Sequence, residues 1–347
     1  MDSRSSSGHA ADSSIKLEVS LPSGQCETVV VSQCGTVADL KLAAQHSLGQ
    51  GFLKLAAPDG RLLDPTNSLR LSGLQDGDSL TAVVQQPKIV GGRSAFALWC
   101  VGGSRIATWG HSNSVDDSSR GQDRVNNVEQ IYGTKGAFGP EGWSAFAALL
   151  ADGTVLTWGH PDCGGDSSRV QDQLRNVRQI CATHHAFAAI LEDGTVVTWG
   201  RPNAGGDSSR VQDQLRNVQK ICCSGSAFAA ILADGSVVTW GSSGFGGNSS
   251  RVQEQLRNVQ HIYGIDVAFA AILADGSVVT WGSRGSGGDS SRVQDQLKNV
   301  QQICGSSFAF AAILADRSVV TWGDPNAGGD SSRVQDQLRN VQQMEAS

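Results

Sequence analysis

Ala227-Phe228-Ala229-Ala230-Ile231-Leu232, then Ala233-Asp234-Gly235, then Ser236-Val237-Val238-Thr239-Trp240-Gly241 is a pair of apolar, β-rich runs joined at an Asp-Gly. Gly and Asp tolerate the positive φ of a tight turn, so this spelling predicts a β-hairpin closed by a type I′ turn. Ile221 stands seven residues before Phe228, and the offset recurs as Ile180 before Phe187, Ile262 before Phe269 and Ile303 before Phe310. A third short strand is therefore expected ahead of each hairpin. The tryptophans of Thr-Trp-Gly mark the copies. Trp158, Trp199, Trp240, Trp281 and Trp322 are 41 residues apart, and Trp109 precedes Trp158 by 49 because eight residues are inserted between Tyr132 and Phe146. Six copies result. A unit of this size with one hairpin cannot bury its own faces, so the copies must pack on one another, and strand-rich units of this period form a propeller.

The segments between copies, such as Gly165 to Val177, place Val170, Leu174, Val177 and Ile180 at helical spacing, and Ser168 with Gln171 fits a capping box. Short helical crossovers are expected there. Three departures bear on the architecture. Arg317 follows Asp316 where the turn glycine should be, so distortion of the last hairpin is expected. The first copy, Phe96 to Trp109, carries one extra residue and Gly102-Gly103 in its turn. Val341 to Met344 reads as a seventh inner-type strand, which leaves six blades or an incomplete seven. The expected fold is mainly β: a β-propeller of six or seven short three-stranded blades over residues 88–347.

Composition agrees with a turn-rich globular chain: 347 residues carry 42 glycines, 8 prolines and only 17% charged side chains, which excludes a coiled coil. Apolar runs such as Ala227 to Leu232 are far shorter than the ~20 residues of a membrane helix, and residues 1–14 are polar, without an apolar signal core. Neither membrane insertion nor secretion is expected, and a cytoplasmic or nuclear location follows. The 27 basic and 33 acidic residues, net charge −6, form no basic stripe, so nucleic acid is not an expected partner. The eight cysteines show no zinc or thioredoxin spacing and read as reduced, packed thiols. Cys181, Cys222 and Cys304 share a repeat position with Tyr132 and Tyr263, as a packing position would.

The recurring Ala-Phe-Ala-x-x-Leu-x-Asp-Gly-x-Val-x-Thr-Trp-Gly, followed by Val-x-x-Ile, resembles the regulator of chromosome condensation (RCC-type) repeats, most of all their short three-stranded bacterial variants. WD repeats end the third strand with Trp-Asp, whereas each copy here has Trp-Gly. The family's usual His at the start of the middle strand is present only as His185, with Ser144, Ser226, Val267 and Phe308 in other copies. Residues 15–86 follow another grammar. Ile15, Leu17, Val19 and Leu21 alternate with polar residues, a turn at Pro22-Ser23-Gly24 leads into Glu27 to Val31, and Thr36 with Asp39 caps a helix bearing Val37, Leu40, Ala44 and Leu48. Strands at Phe52 to Leu55 and Ser79 to Val84 complete a ββαββ order that resembles the ubiquitin-like β-grasp. Residues 1–14 are expected to be a disordered tail. Gly91-Gly92 is no conjugation tail, because Ile89-Val90-Gly91 has the offsets of an inner propeller strand. Of the apolar recognition patch of ubiquitin, Leu21 and Val83 match and Lys54 replaces the central isoleucine.

No phosphate loop, His-Glu-x-x-His or Gly-x-Ser-x-Gly is present, so no enzyme, metal or cofactor is expected. Gly-Gly-Asp-Ser-Ser only faintly resembles a calcium repeat and has the wrong period. Arg169, Arg210, Arg251, Arg292 and Arg333 each have an acid three residues on and read as solvated helix pairs rather than as an anion-binding ring. Strand parity puts the loop before each Phe and the loop after each Trp-Gly on one face, where the copies differ. The expected protein-binding residues there are Lys135, Trp143, His184, His185, Arg201, Asn203, Phe245, Asp266, Arg284 and Asp324, with the insert Gly133 to Glu141. The resulting expectation is a non-catalytic adaptor: a ubiquitin-like domain that engages ubiquitin-system factors, and a propeller that binds a protein through variable loops. The resemblance also admits an exchange factor for a small GTPase, a fragment or relative of HECT-type ubiquitin ligases, and a purely structural scaffold.

Overall fold

The structure, a computed structural model, describes residues 14–65, 67–100, 106–111, 127–134 and 143–343. The chain divides into two compact units, residues 1–88 and 89–347. In the first, β1 (Ser14–Ser20), β2 (Cys26–Ser32), α1 (Val37–Ser47), β3 (Leu53–Ala56) and β4 (Ser79–Val84) form a four-stranded sheet in the order β2-β1-β4-β3 with α1 packed on it. The central β1 is antiparallel to β2 and parallel to β4, which is the β-grasp arrangement. Alternation drives it: Ile15, Leu17 and Val19 are buried with Leu40, Leu53 and Leu80 while Lys16 and Glu18 face water. The capping box at α1 is formed, with Asp39 N–H donating to the Thr36 hydroxyl and Thr36 N–H to the Asp39 carboxylate at 2.8 Å. The match at Leu21 fails in space, since Leu21 is 7% exposed and belongs to the core. Lys54 pairs across strands with the exposed Val83.

The second unit holds six three-stranded sheets among the described residues. Blade 1 is β5 (Pro87–Gly91), β6 (Ala95–Cys100) and β7 (Ile106–Gly110), and blade 2 is β8 (Val128–Gly133), β9 (Ala145–Leu150) and β10 (Val155–Gly159). Blade 3 is β11 (Val177–Ala182), β12 (Ala186–Leu191) and β13 (Val196–Gly200), and blade 4 is β14 (Val218–Cys223), β15 (Ala227–Leu232) and β16 (Val237–Gly241). Blade 5 is β17 (Val259–Gly264), β18 (Ala268–Leu273) and β19 (Val278–Gly282), and blade 6 is β20 (Val300–Gly305), β21 (Ala309–Leu314) and β22 (Val319–Gly323). The strand pairs of blades 2 to 6, and β6 with β7, are antiparallel, and the first strands of consecutive blades from 2 to 6 meet. This is a propeller-type array.

The middle strands of blades 2 to 5 are apolar on both faces because each of these blades is covered on both sides. In the junction of blades 2 and 3, Phe187 and Trp199 pack on Ala145, Ala147, Leu149 and Val155. The Trp199 indole Nε1–H donates to the Gly164 carbonyl at 3.1 Å, and Trp240, Trp281 and Trp322 repeat the bond to Gly205, Gly246 and Gly287. Gly164 has φ +92° and no room for a side chain, since a Cβ there would lie 2.7 Å from the Phe187 ring. The four junctions from blades 2 and 3 to blades 5 and 6 thus share a lock: the Phe and Trp of one blade enter a slot whose floor is a glycine of the blade before.

Several expectations need correction. The hairpin turns are not type I′, because among the described residues only the glycine has positive φ (77° at Gly235), with Gly235 N–H donating to the Leu232 carbonyl and Leu232 N–H to the Ser236 carbonyl. That is a type I turn followed by a left-handed glycine. Arg317 takes this conformation itself at φ 66° and keeps the same bond to Leu314, so the last hairpin is regular. The crossovers are three-residue 3-10 turns such as Gln171–Gln173, not α-helices. Ser168 caps nothing there: its N–H donates to Asp166, while the hydroxyl of Ser167 meets Gln171 Oε1 at 2.7 Å. Gln171 Nε2 donates in turn to the Val155 carbonyl at 2.9 Å, so the repeated Ser-Ser-Arg-Val-Gln covers the outer edge of a blade. Residues 341–343 form no strand, although Val341 N–H bonds the Arg317 carbonyl as Val300 bonds Gly276. Gly102-Gly103 and Met344 lie outside the described residues. None of the eight cysteines is in a disulfide, but Cys26 and Cys34 are exposed rather than packed.

Candidate functional site

In blades 3, 4 and 6 the loop before the middle strand is held to the loop after the third strand of the same blade by one hydroxyl. Thr183 Oγ1 donates to the Ala204 carbonyl at 3.1 Å, Ser224 Oγ to Phe245 at 2.7 Å and Ser306 Oγ to Ala327 at 2.8 Å. Both variable loops therefore share a face, as strand parity requires. Neighbouring blades are also connected along it. His184 N–H donates to the Gly225 carbonyl and Gly225 N–H to the Asp266 carbonyl, each at 2.8 Å, so equivalent positions of blades 3, 4 and 5 form a continuous backbone rail. Gly225 makes the rail possible, because a Cβ there would lie 2.6 Å from His184 Cε1 and 2.7 Å from the Asp266 carbonyl oxygen.

The side chains above the rail differ from blade to blade. His184 Nε2 lies 3.7 Å from Asp266 Oδ1. His185 Nδ1 lies 3.3 Å from the buried Cys163 Sγ. Burial, reinforced by the charges of Arg201, His184 and Arg93, pushes the His185 pKa down to about 4, and burial pushes the Cys163 thiol up to about 11. Thiol and imidazole are both neutral at pH 7, the reverse of the thiolate–imidazolium pair of a cysteine nucleophile. Trp143 stacks on His160 with ring centroids 4.0 Å apart and 7° between planes.

Of the expected residues, His184, His185, Arg201 and Asp266 come together around blades 3 to 5. Trp143 joins its own blade's outer loop through His160. Asn203 is exposed in the 3-10 turn Pro202–Ala204 beside Arg201. Phe245 is partly buried against the junction of blades 4 and 5. Arg284 is an exposed partner of Asp289 at 3.1 Å, and Asp324 caps the turn Pro325–Ala327 by accepting from Asn326 N–H at 2.8 Å. Lys135 and most of the insert lie outside the described residues.

Sequence reading missed His160, Cys163, Arg93 and Gly225. His160 and Cys163 occupy the columns of Arg201 and Ala204 one repeat earlier, so comparing columns rather than picking loop residues finds them. The repeated arginines do not pair as expected. Among the described residues no ion pair joins Arg169 to Asp172, and its charge acts instead on Asp166, whose pKa is lowered mainly by hydrogen bonds from Ser168. Grooves of about 670 and 810 Å³ lie at Arg251 and Arg292 and are one repeat apart, so they present the same chemistry twice. Among the described residues no group of three His, Cys, Asp or Glu side chains is placed to hold a metal, and no helix is long and apolar enough to cross a membrane.

No protein-family model matches the chain, and no curated protein matches it. Similar solved structures include human WBSCR16, 15% identical over 72% of this chain and 82% of that one with a TM-score of 0.43. They also include Prp20p of Saccharomyces cerevisiae, described with its binding to Gsp1p and histones, 15% identical over 68% and 71% of the two chains with a TM-score of 0.40. A designed protein based on ubiquitin is 22% identical and covers 20% of this chain and 87% of its own, TM-score 0.19. At these identities the likeness concerns fold alone.

Proposed function

We propose that this chain is a non-catalytic adaptor whose propeller docks a protein partner on the loop face of blades 3 to 5, through His184, His185, Arg201 and Asp266. The observation that carries the reading is the backbone rail His184–Gly225–Asp266: identical scaffolding holds non-identical side chains, so little loop-ordering entropy opposes binding and selectivity rests with the side chains. The neutral Cys163–His185 pair supports a binding role over nucleophilic chemistry. In this reading the β-grasp unit engages ubiquitin-system factors. Its mode is not that of ubiquitin's own patch, since Leu21 is buried and Lys54 stands at the centre.

The test is affinity purification of partners on the full chain against the Arg201→Glu/Asp266→Lys variant. Loss of a defined set of partners by at least about tenfold is expected, the effect of roughly 1.4 kcal/mol at an interface. Unchanged recovery would refute the docking face, and accelerated nucleotide release from a small GTPase on adding the protein would refute the non-catalytic assignment.

A further inference from the structure

The two ends of the blade array are complementary halves of one junction. Phe146, Phe187, Phe228, Phe269 and Phe310 are at most 1% exposed because each packs on the blade before it, whereas Phe96 of blade 1 is 45% exposed. Trp109, stacked on Phe96 at 5.5 Å, is 44% exposed, against 4–5% for the five later tryptophans, and Ile89 of the same face is 59% exposed. At the other end the slot itself is open. A Cβ on Gly164, Gly205, Gly246 or Gly287 would strike the incoming Phe at 2.5–2.7 Å, while one on Gly328 would meet nothing within 4 Å. Val170, Val211, Val252 and Val293 are partly buried against the following blade, and their counterpart Val334 is 43% exposed.

We propose that the chain associates head to tail with a second copy of itself, the Phe96–Trp109 face of blade 1 in one copy entering the Gly328–Val334 face of blade 6 in the next. The occupant follows from continuity with the junction already built five times within the chain. The knob has the residues the slot accepts elsewhere, and Trp109 Nε1–H would donate to the Gly328 carbonyl as Trp322 does to Gly287 at 3.0 Å. Within this chain the knob is exposed and the slot open, and in the proposed association the filling face comes from another molecule. Such an interface is heterologous: each copy keeps one free end, and association continues until a ring closes or the chain of copies stops. It uses the sides of the blades and leaves the loop face free.

Two exposed substitutions test it on the full chain. Phe96→Asp removes the knob, and Val334→Asp spoils the slot, each at a side chain that water already reaches. By sedimentation velocity, the wild type should gain mass with concentration above the low micromolar range, each variant alone should stay a monomer, and an equimolar mixture should form a species of two copies and no more. A wild type that remains monomeric throughout overturns the proposal. Self-association of Val334→Asp alone, or a mixture that stays monomeric, overturns the head-to-tail geometry and the proposal with it.

Discussion

Blade 4 and blade 1 share a spelling and differ in their company. Phe228 stacks on Trp240 at 5.2 Å and Phe96 on Trp109 at 5.5 Å, so the hairpin builds the aromatic pair by itself in both. Burial does not come with it: Phe228 is 0% exposed and Phe96 45%. The fold of a blade is thus a property of its own strands, and its stabilisation is a property of the junction, as expected of an array whose units contact only their neighbours. The sharpest way to test the contrast is to truncate both rings. Phe228→Ala should cost about 3–5 kcal/mol, since it empties a packed slot, and Phe96→Ala in the dilute monomer about 1 kcal/mol or less. Urea denaturation followed by tryptophan fluorescence measures both, and equal losses would break the comparison.

A second pair separates crowding from backbone strain. Gly205 and Gly328 have φ of +98° and +100°, so alanine is equally disfavoured at either by its backbone. Only at Gly205 would the added methyl meet the Phe228 ring, at 2.5 Å. Gly205→Ala should therefore cost about 1–3 kcal/mol more than Gly328→Ala, the range for overpacking a filled core. Thermal denaturation of the two variants side by side reads the difference, and a gap near zero would mean that the slot is looser than its glycines imply.

How much of this the sequence discloses depends on whether a feature recurs. The 41-residue period, the Phe and Trp of each blade and the capping box of Thr36 with Asp39 are legible because each is a repeated or local pattern. The crossovers are not, because helical spacing of Val170, Leu174 and Val177 is also what a loop needs to drop three apolar side chains into one junction. Asn176 at φ 53°, the bond of Ser167 to Gln171 and that of Gln171 to the Val155 carbonyl decide for the loop. In the site, the variable columns mark His184, Arg201 and Asp266, but nothing in a lone Gly225 announces that it joins two blades. Nor does spelling show that Cys163 and His185, in different columns and different blades, meet at 3.3 Å.

His185 provides the smallest and most selective test, because blade 3 alone places a histidine where blades 2 and 4 have Ser144 and Ser226. Its pKa falls from 6.5 to about 4 because the charged ring would be buried and set against Arg201 and Arg93. A folded-state pKa below the unfolded value means that protons bind the unfolded chain more tightly across that interval. Stability is then level above about pH 6.5 and declines as pH falls towards 4, by up to about 3 kcal/mol at 1.36 kcal/mol per unit. His185→Ser gives blade 3 the spelling of blade 4 and should flatten the part of the pH profile between 6.5 and 4. The loss below pH 4 should persist, since Asp152, Asp193 and Asp234 have pKa values lowered by hydrogen bonds from Thr154, Thr195 and Ser236 and lose those bonds only when protonated. A profile that keeps its slope between pH 6.5 and 4 in the serine variant would move the acid sensitivity from this one blade to features that all the blades share.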